Sequence, residues 1–110
     1  MLGGIGTDPE NVLLMKQTAD RLFGRDYVWS LFAAGKHQMP FAAMGAAMGA
    51  NVRVGLEDSP HRERGQLASS NAEQVSKMCR ILAELGLEIA SPDEARKKLN
   101  LKGARNVAFI

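Results

Sequence analysis

Two short runs rich in β-branched and aromatic residues set the strongest limit on what this chain can fold into. "YVWSLFA", Tyr27–Ala33, and "NVRVGLED", Asn51–Asp58, each lead into a loop and then a helical pattern. With a strand or strand tail in "MLGGIG" at the start, strand-like segments recur roughly every 25 residues, separated by helices. Strands spaced in this way cannot pair through tight hairpins. They need crossover connections, and the sterically favoured outcome is right-handed βαβ units around a parallel sheet. The continuous apolar character of Tyr27–Ala33 predicts burial on both faces, as in parallel sheets. An α/β fold follows, and 110 residues leave room for one domain, 1–110, with no linker dividing it.

The helix signals between the strands are local and specific. Thr7 or Asp8 can cap a helix in "TDPENVLLMKQTADRLFG"; Pro9 suits its first position, Glu10 stands where a capping box needs a carboxylate, and Gly24 can end it in the left-handed conformation. Its buried face is expected at Val12, Met15, Ala19, Leu22 and Phe23. "KHQMP" reads as a loop and "PFAAMGAAMG" as a short helix opened by Pro40 and ended at Gly49, its small residues allowing close approach to neighbouring backbone. "SPHRERGQLASS" reads as a polar loop. A further helix starts near Ser70 with Glu73 completing a capping box, runs through Val75, Met78, Cys79, Leu82 and Leu85, and stops at Gly86. Ser91, Pro92 and Glu94 repeat the same logic for a last short helix, and the tail after Leu101 carries no clear signal.

Composition excludes several classes. Fourteen Lys and Arg against twelve Asp and Glu give a formal charge of +2, with the two signs interleaved, so no nucleic-acid partner is implied. Cys79 is the only cysteine, which leaves no intrachain disulfide and no CxxC motif and fits a reducing compartment, with the cytoplasm as the default. The N-terminus lacks the pattern of a secretory signal, and no apolar run is long enough for a membrane span.

Chemistry concentrates in "NVRVGLED". An arginine and two carboxylates in an otherwise aliphatic strand are costly to bury unless paired or used. Strand alternation places Arg53, Gly55 and Glu57 on one face and Val52, Val54 and Leu56 on the other, so Arg53 and Glu57 are expected to point together into an interior or cleft, with Gly55 leaving room for a ligand. Asp58 follows where the strand meets its loop, the edge at which parallel α/β proteins bind ligands. One carboxylate could bind a metal, a second could move protons, and the arginine could hold a carboxylate or a developing oxyanion. An internal ion pair with no chemical role fits the same spacing.

"VRVGLED", with "GGIG…PEN" upstream, "HQMP" in the middle and "LASSNAEQV" downstream, resembles the C-terminal part of the β-keto acid cleavage enzymes, from Gly3 to about Leu101. The resemblance implies a zinc-dependent (β/α)8 barrel, oligomeric, that exchanges a 3-keto acid and acetyl-CoA for acetoacetate and a new CoA thioester by a retro-Claisen cleavage. It implies Glu57 as the zinc ligand of the last barrel strand, Asp58 as the catalytic carboxylate that handles the proton, and Arg53 as the cation supporting it. The family's other zinc ligands form a His-x-His pair on an early strand. This sequence has no His-x-His; its histidines are His37 and His61. The resemblance therefore implies the last three or so β/α units of a TIM barrel, inactive alone, with the missing N-terminal part or a homo-oligomer as partner. The alternative is a non-catalytic assembly or remnant module that folds by pairing with copies of itself.

Other candidates have simpler readings. His37 reaches the same strand edge as Glu57 and could touch substrate or metal, although a lone histidine more simply shapes its loop. His61 reads as solvated, and as a zinc ligand only if its loop folds back. "GGIG" before a helix could meet an anion such as a CoA phosphate, yet it lacks both the GxGxxG and the P-loop spacing. Arg62, Glu63 and Arg64 read as a solvated loop that could also meet a CoA phosphate. Met39, Met44, Met48 and Met78 suit core filling, and Cys79 suits inert packing.

Overall fold

A computed structural model describes residues 5–63 and 65–108. Its elements are helix α1 (Pro9–Phe23), strand β1 (Ser30–Leu31), a 3-10 turn (Gly35–His37), α2 (Gln38–Ala47), β2 (Asn51–Val52), β3 (His61–Glu63), β4 (Gln66–Leu67), α3 (Asn71–Glu84), α4 (Pro92–Lys98) and a 3-10 turn (Ala104–Asn106). β1 and β2 pair in parallel, Ser30 opposite Asn51 and Leu31 opposite Val52, with α2 as the crossover. The α/β class and the parallel pairing expected from the sequence are present in this β1–α2–β2 unit. The strand expected in "MLGGIG" falls largely on residues outside those described.

α2 is the centre of packing. Its sequence, "QMPFAAMGAA", is apolar nearly all round, as a helix buried on several sides must be. Met39, Ala42 and Ala46 meet Met78 and Leu82 of α3, with Val52 and Val54 beside them. Phe41 meets Val12 of α1 and Leu31 and Ala33 of the β1 segment. Each large apolar side chain buried here contributes about 1.5–3 kcal/mol relative to exposure. Gly45 allows the contact of helix on strand: a Cβ there would sit 2.8 Å from the Cβ of Leu31. Pro40 lies inside the first turn rather than opening the helix, because the preceding 3-10 turn already starts the coil at Gln38.

The helix-end signals are realised unevenly. Ser91 and Glu94 form a complete capping box, with Glu94 N donating to Ser91 Oγ and Ser91 N donating to Glu94 Oε2. At α3, Ser70 Oγ accepts from Glu73 N as expected, but the Glu73 carboxylate turns back to the N–H and hydroxyl of Ser69. At α1, Asp8 is the cap and its side chain makes no capping bond, so the Thr7–Glu10 box does not form. Gly24 and Gly86 both take positive φ just past their helices.

Three expectations are corrected. The strand expected over Tyr27–Ala33 is only Ser30–Leu31, and it alternates rather than burying both faces: Leu31 and Ala33 are buried, Val28 and Phe32 exposed. "SPHRERGQLASS" is not simply a loop, because His61–Glu63 and Gln66–Leu67 close an antiparallel hairpin over α3. Of the face expected on α1, Val12 alone is buried; Leu22 and Phe23 are 64% and 58% exposed, since no described element packs over that side.

Candidate active site

Within the segment Asn51–Asp58 only Asn51–Val52 is strand. The ladder ends at Val52, and Gly55 O accepts from both Asp58 N and Ser59 N, each at 3.2 Å, which folds residues 56–58 into a turn. The expected alternation of Arg53 and Glu57 on one inward face is therefore replaced by a turn that carries both carboxylates back to the guanidinium. Arg53 Nε donates to Asp58 Oδ2 at 2.9 Å, and Arg53 Nη2 donates to Glu57 Oε2 at 3.1 Å and to Asp58 Oδ1 at 3.5 Å. The guanidinium carbon also lies 5.1 Å from the centroid of the Phe32 ring.

The three side chains differ in exposure: Arg53 52%, Glu57 87%, Asp58 11%. Asp58 is thus sheltered and held by a planar, permanently charged fork, while Glu57 reaches outward. The expected burial of Arg53 and Glu57 is not observed in this chain. The exposed Arg53–Glu57 pair is worth about 0–1 kcal/mol to stability, so its fixed geometry has little to do with holding the fold together.

Several polar contacts set the turn in place. Gly35 N donates to Asp58 O at 3.0 Å, tying the end of the β1 segment to the turn. Gln38, almost fully buried, donates through Nε2 to Gly55 O at 2.9 Å. Asn71 Oδ1, at the start of α3, accepts from Leu56 N at 2.7 Å, and buried Gln74 donates to Ser59 O at 2.6 Å and to His61 O at 3.2 Å. Sequence reasoning did not single out these amides. The signal available was their place within "HQMP" and "LASSNAEQV".

His37 and His61 do not join this trio. Both line a cleft of about 810 Å³ between α2, α3 and the hairpin, and His37 packs edge-on against Phe41 at 5.9 Å between centroids. Among the described residues no three His, Cys, Asp or Glu side chains are grouped closely enough to hold a metal ion. The chain does not build a zinc centre from its described residues, and Glu57 is at most one ligand of such a set. The glycines of "GGIG" lie partly, and the Arg62, Glu63 and Arg64 side chains wholly, outside what the structure describes.

A family model for beta-keto acid cleavage enzymes matches residues 1–101. The chain belongs to this family. It is 55% identical over 109 residues to a 3,5-dioxohexanoate:acetyl-CoA acetone transferase of Paraburkholderia graminis, covering 99% of this chain and 35% of that relative. A 3-keto-5-aminohexanoate cleavage enzyme of Fusobacterium nucleatum is 49% identical over 74 residues, 67% of this chain and 27% of that relative. A 3-dehydrocarnitine:acetyl-CoA trimethylamine transferase of Rhizobium meliloti is 40% identical over 76 residues, 69% of this chain and 25% of that relative. The chain thus spans about a third or less of the length of these relatives. No described helix is long and apolar enough to cross a membrane.

Proposed function

We propose that this chain supplies one wall of a β-keto acid cleavage site, with Arg53, Glu57 and Asp58 as its working residues. The reaction is the exchange of a 3-keto acid and acetyl-CoA for acetoacetate and the CoA thioester of the remaining fragment. The observation that carries this reading is the fork of Arg53 across both carboxylates, in a member of this family. Asp58, sheltered and close to the parallel pair, handles the proton; Arg53 holds it in place and steadies negative charge developing on the reacting oxygens. Glu57 is one ligand of a zinc whose remaining ligands lie outside the described residues. The chain corresponds to the last three or so β/α units of a (β/α)8 barrel acting in the cytoplasm, and further protein, a second copy or the rest of the barrel, completes the site.

A chimera in which these 110 residues replace the matching third of the Paraburkholderia graminis relative tests this directly. We expect it to form acetoacetate from a 3-keto acid and acetyl-CoA, and Asp58→Asn to reduce the rate by about 10²-fold or more. A folded chimera that turns over no 3-keto acid, or an Asp58→Asn variant as fast as its parent, would refute the assignment.

A second reading, a non-catalytic module that assembles with copies of itself, is favoured by the exposed apolar side chains of α1 and of the segment around α4.

A further inference from the structure

The turn that carries the two carboxylates hangs on one carbonyl. Gly55 O accepts from Asp58 N and Ser59 N, each at 3.2 Å, and from the side-chain Nε2 of Gln38 at 2.9 Å. A carbonyl oxygen has two lone pairs, so these donors over-fill it, and the shortest bond comes from outside the turn. Gln38 is the first residue of α2, and just before it Gly35 N donates to Asp58 O at 3.0 Å. The start of α2 therefore grips the turn at its first residue and at its last.

Stability alone does not explain this side chain. Gln38 is 1% exposed, and its Oε1 is buried with no hydrogen-bond partner among the described residues. Turning the amide round would not help, because Gly55 O is an acceptor and only the nitrogen can meet it. A buried acceptor without a partner has lost its hydration and gained nothing, which offsets the bond that Nε2 makes. Nor does Gly55 O need Gln38, since two backbone N–H groups remain on it. An apolar side chain of similar length would serve the fold as well or better. A local rule broken in this way, directly beneath the Arg53–Asp58 pair, points to function.

We propose that Gln38 is a positioning residue for Asp58: its Nε2 pins Gly55 O, and through that carbonyl it sets the turn that lays the Asp58 carboxylate on Arg53. Being enclosed, it acts through the turn and not on the substrate. The inference rests on the reaction proposed above and adds a residue outside the trio on which the trio's geometry depends. Arg53 precedes Gly55 and Asp58 follows it, so a shift of that carbonyl moves the two ends of the ion pair relative to each other. A displacement of about 1 Å at a reacting group can cost roughly 10²-fold in rate.

Two variants of the chimera test the assignment. Gln38→Met keeps the length and removes the donor; Gln38→Glu keeps the shape and donates only while its carboxyl is protonated, the form that burial favours. Gln38→Met is expected to lower kcat by about 10- to 100-fold, with KM for both substrates within about twofold of the parent and the urea midpoint no lower. Gln38→Glu is expected to run faster than Gln38→Met at the acid end, its rate relative to the parent falling as pH rises and the donor is lost. A folded Gln38→Met with parental kcat, a loss of rate matched by a lowered urea midpoint, or a Gln38→Glu no faster than Gln38→Met at any pH would overturn the proposal.

The 110-residue chain supplies a readout that needs no turnover. Nitrogen-15 NMR is expected to show proton exchange at Arg53 Nε–H about tenfold or more faster in Gln38→Met, as the bond to Asp58 loosens. Unchanged exchange overturns the positioning role whatever the chimera does. An inactive parent chimera with this faster exchange in the chain refutes the reaction and leaves the hold of Gln38 on the turn. An active parent with a full-rate Gln38→Met refutes the positioning and leaves the reaction.

Discussion

Arg53 holds two carboxylates with two different nitrogens, and that geometry is available to arginine alone among the cations. Lysine in its place would keep the charge and lose the fork, so Asp58 and Glu57 could no longer be fixed together. In the chimera, Arg53→Lys is expected to lower kcat by about 10- to 100-fold while shifting stability by no more than about 1 kcal/mol, because the guanidinium is half-exposed and lysine keeps a positive charge beside Asp58. Steady-state kinetics beside a urea titration separates the two effects, and a full-rate Lys variant would show that charge alone suffices. At this scale the sequence was partly legible. The three ionisable residues stood out because a strand-like run rarely carries them. Their geometry did not, because alternation applies only within a ladder, and the two Gly55 carbonyl bonds that close the turn have no sequence signature of comparable strength. Gln38 and Gln74 were passed over for another reason. Glutamine carries no charge to flag it, yet each is almost fully buried and spends its amide on the backbone beneath the site.

Among the elements, α2 is positioned by what it lacks. An alanine at Gly45 would gain about 1 kcal/mol of helix propensity and would place its Cβ 2.8 Å from Leu31 Cβ, a contact that rotamer change cannot relieve. Overpacking of this kind costs about 1–3 kcal/mol, so Gly45→Ala is expected to lower the urea midpoint despite its better propensity. An unchanged or raised midpoint would mean that α2 can slide on β1. Helix α4 shows the opposite balance, since no residue of it is buried and its start is set by hydrogen bonds. The backbone N–H of Ser91 first, and its side chain second, hold the Glu94 carboxyl below the usual glutamate range. A carboxyl lowered in the folded state stabilises above its ordinary range, and that contribution is lost as pH falls through the lowered value. The start of α4 is therefore expected to fray in acid. A carbon-13 titration should find Glu94 below the ordinary range and bring it only partway back in Ser91→Ala, which removes the hydroxyl and keeps the larger contribution of the backbone N–H; an ordinary value in the parent would remove the box as the cause. These caps were readable because they depend on three or four adjacent residues. Strand lengths were not, because a strand extends only where a neighbour exists to pair with it.

For the whole molecule, the radius of gyration of 15.6 Å exceeds the roughly 13 Å expected of a compact domain of this length. The excess has a visible source. A two-stranded parallel sheet leaves both outer edges without a partner among the described strands, and the large apolar side chains Leu14, Leu22 and Phe23 on α1, with Leu87, Ile89 and Leu101 around α4, face solvent. The period of α1 announced a buried face, and what the sequence could not supply was the element that covers it. Surfaces of this kind pair with something, and in a solution of this chain alone the available partner is another copy. Light scattering of the purified chain is expected to give a mass well above the 11.9 kDa of one copy, and Leu22→Glu combined with Phe23→Ser to shift it toward a monomer. In the chimera the same substitutions should instead lower stability by several kcal/mol, because the rest of the barrel would cover that face and two large apolar groups would be lost from the contact. A clean monomer at all concentrations, together with a chimera indifferent to the substitutions, would mean that α1 is a genuine surface helix and that the protein completing the site docks elsewhere. Assembly in the chain with indifference in the chimera would favour the self-pairing module over the barrel segment.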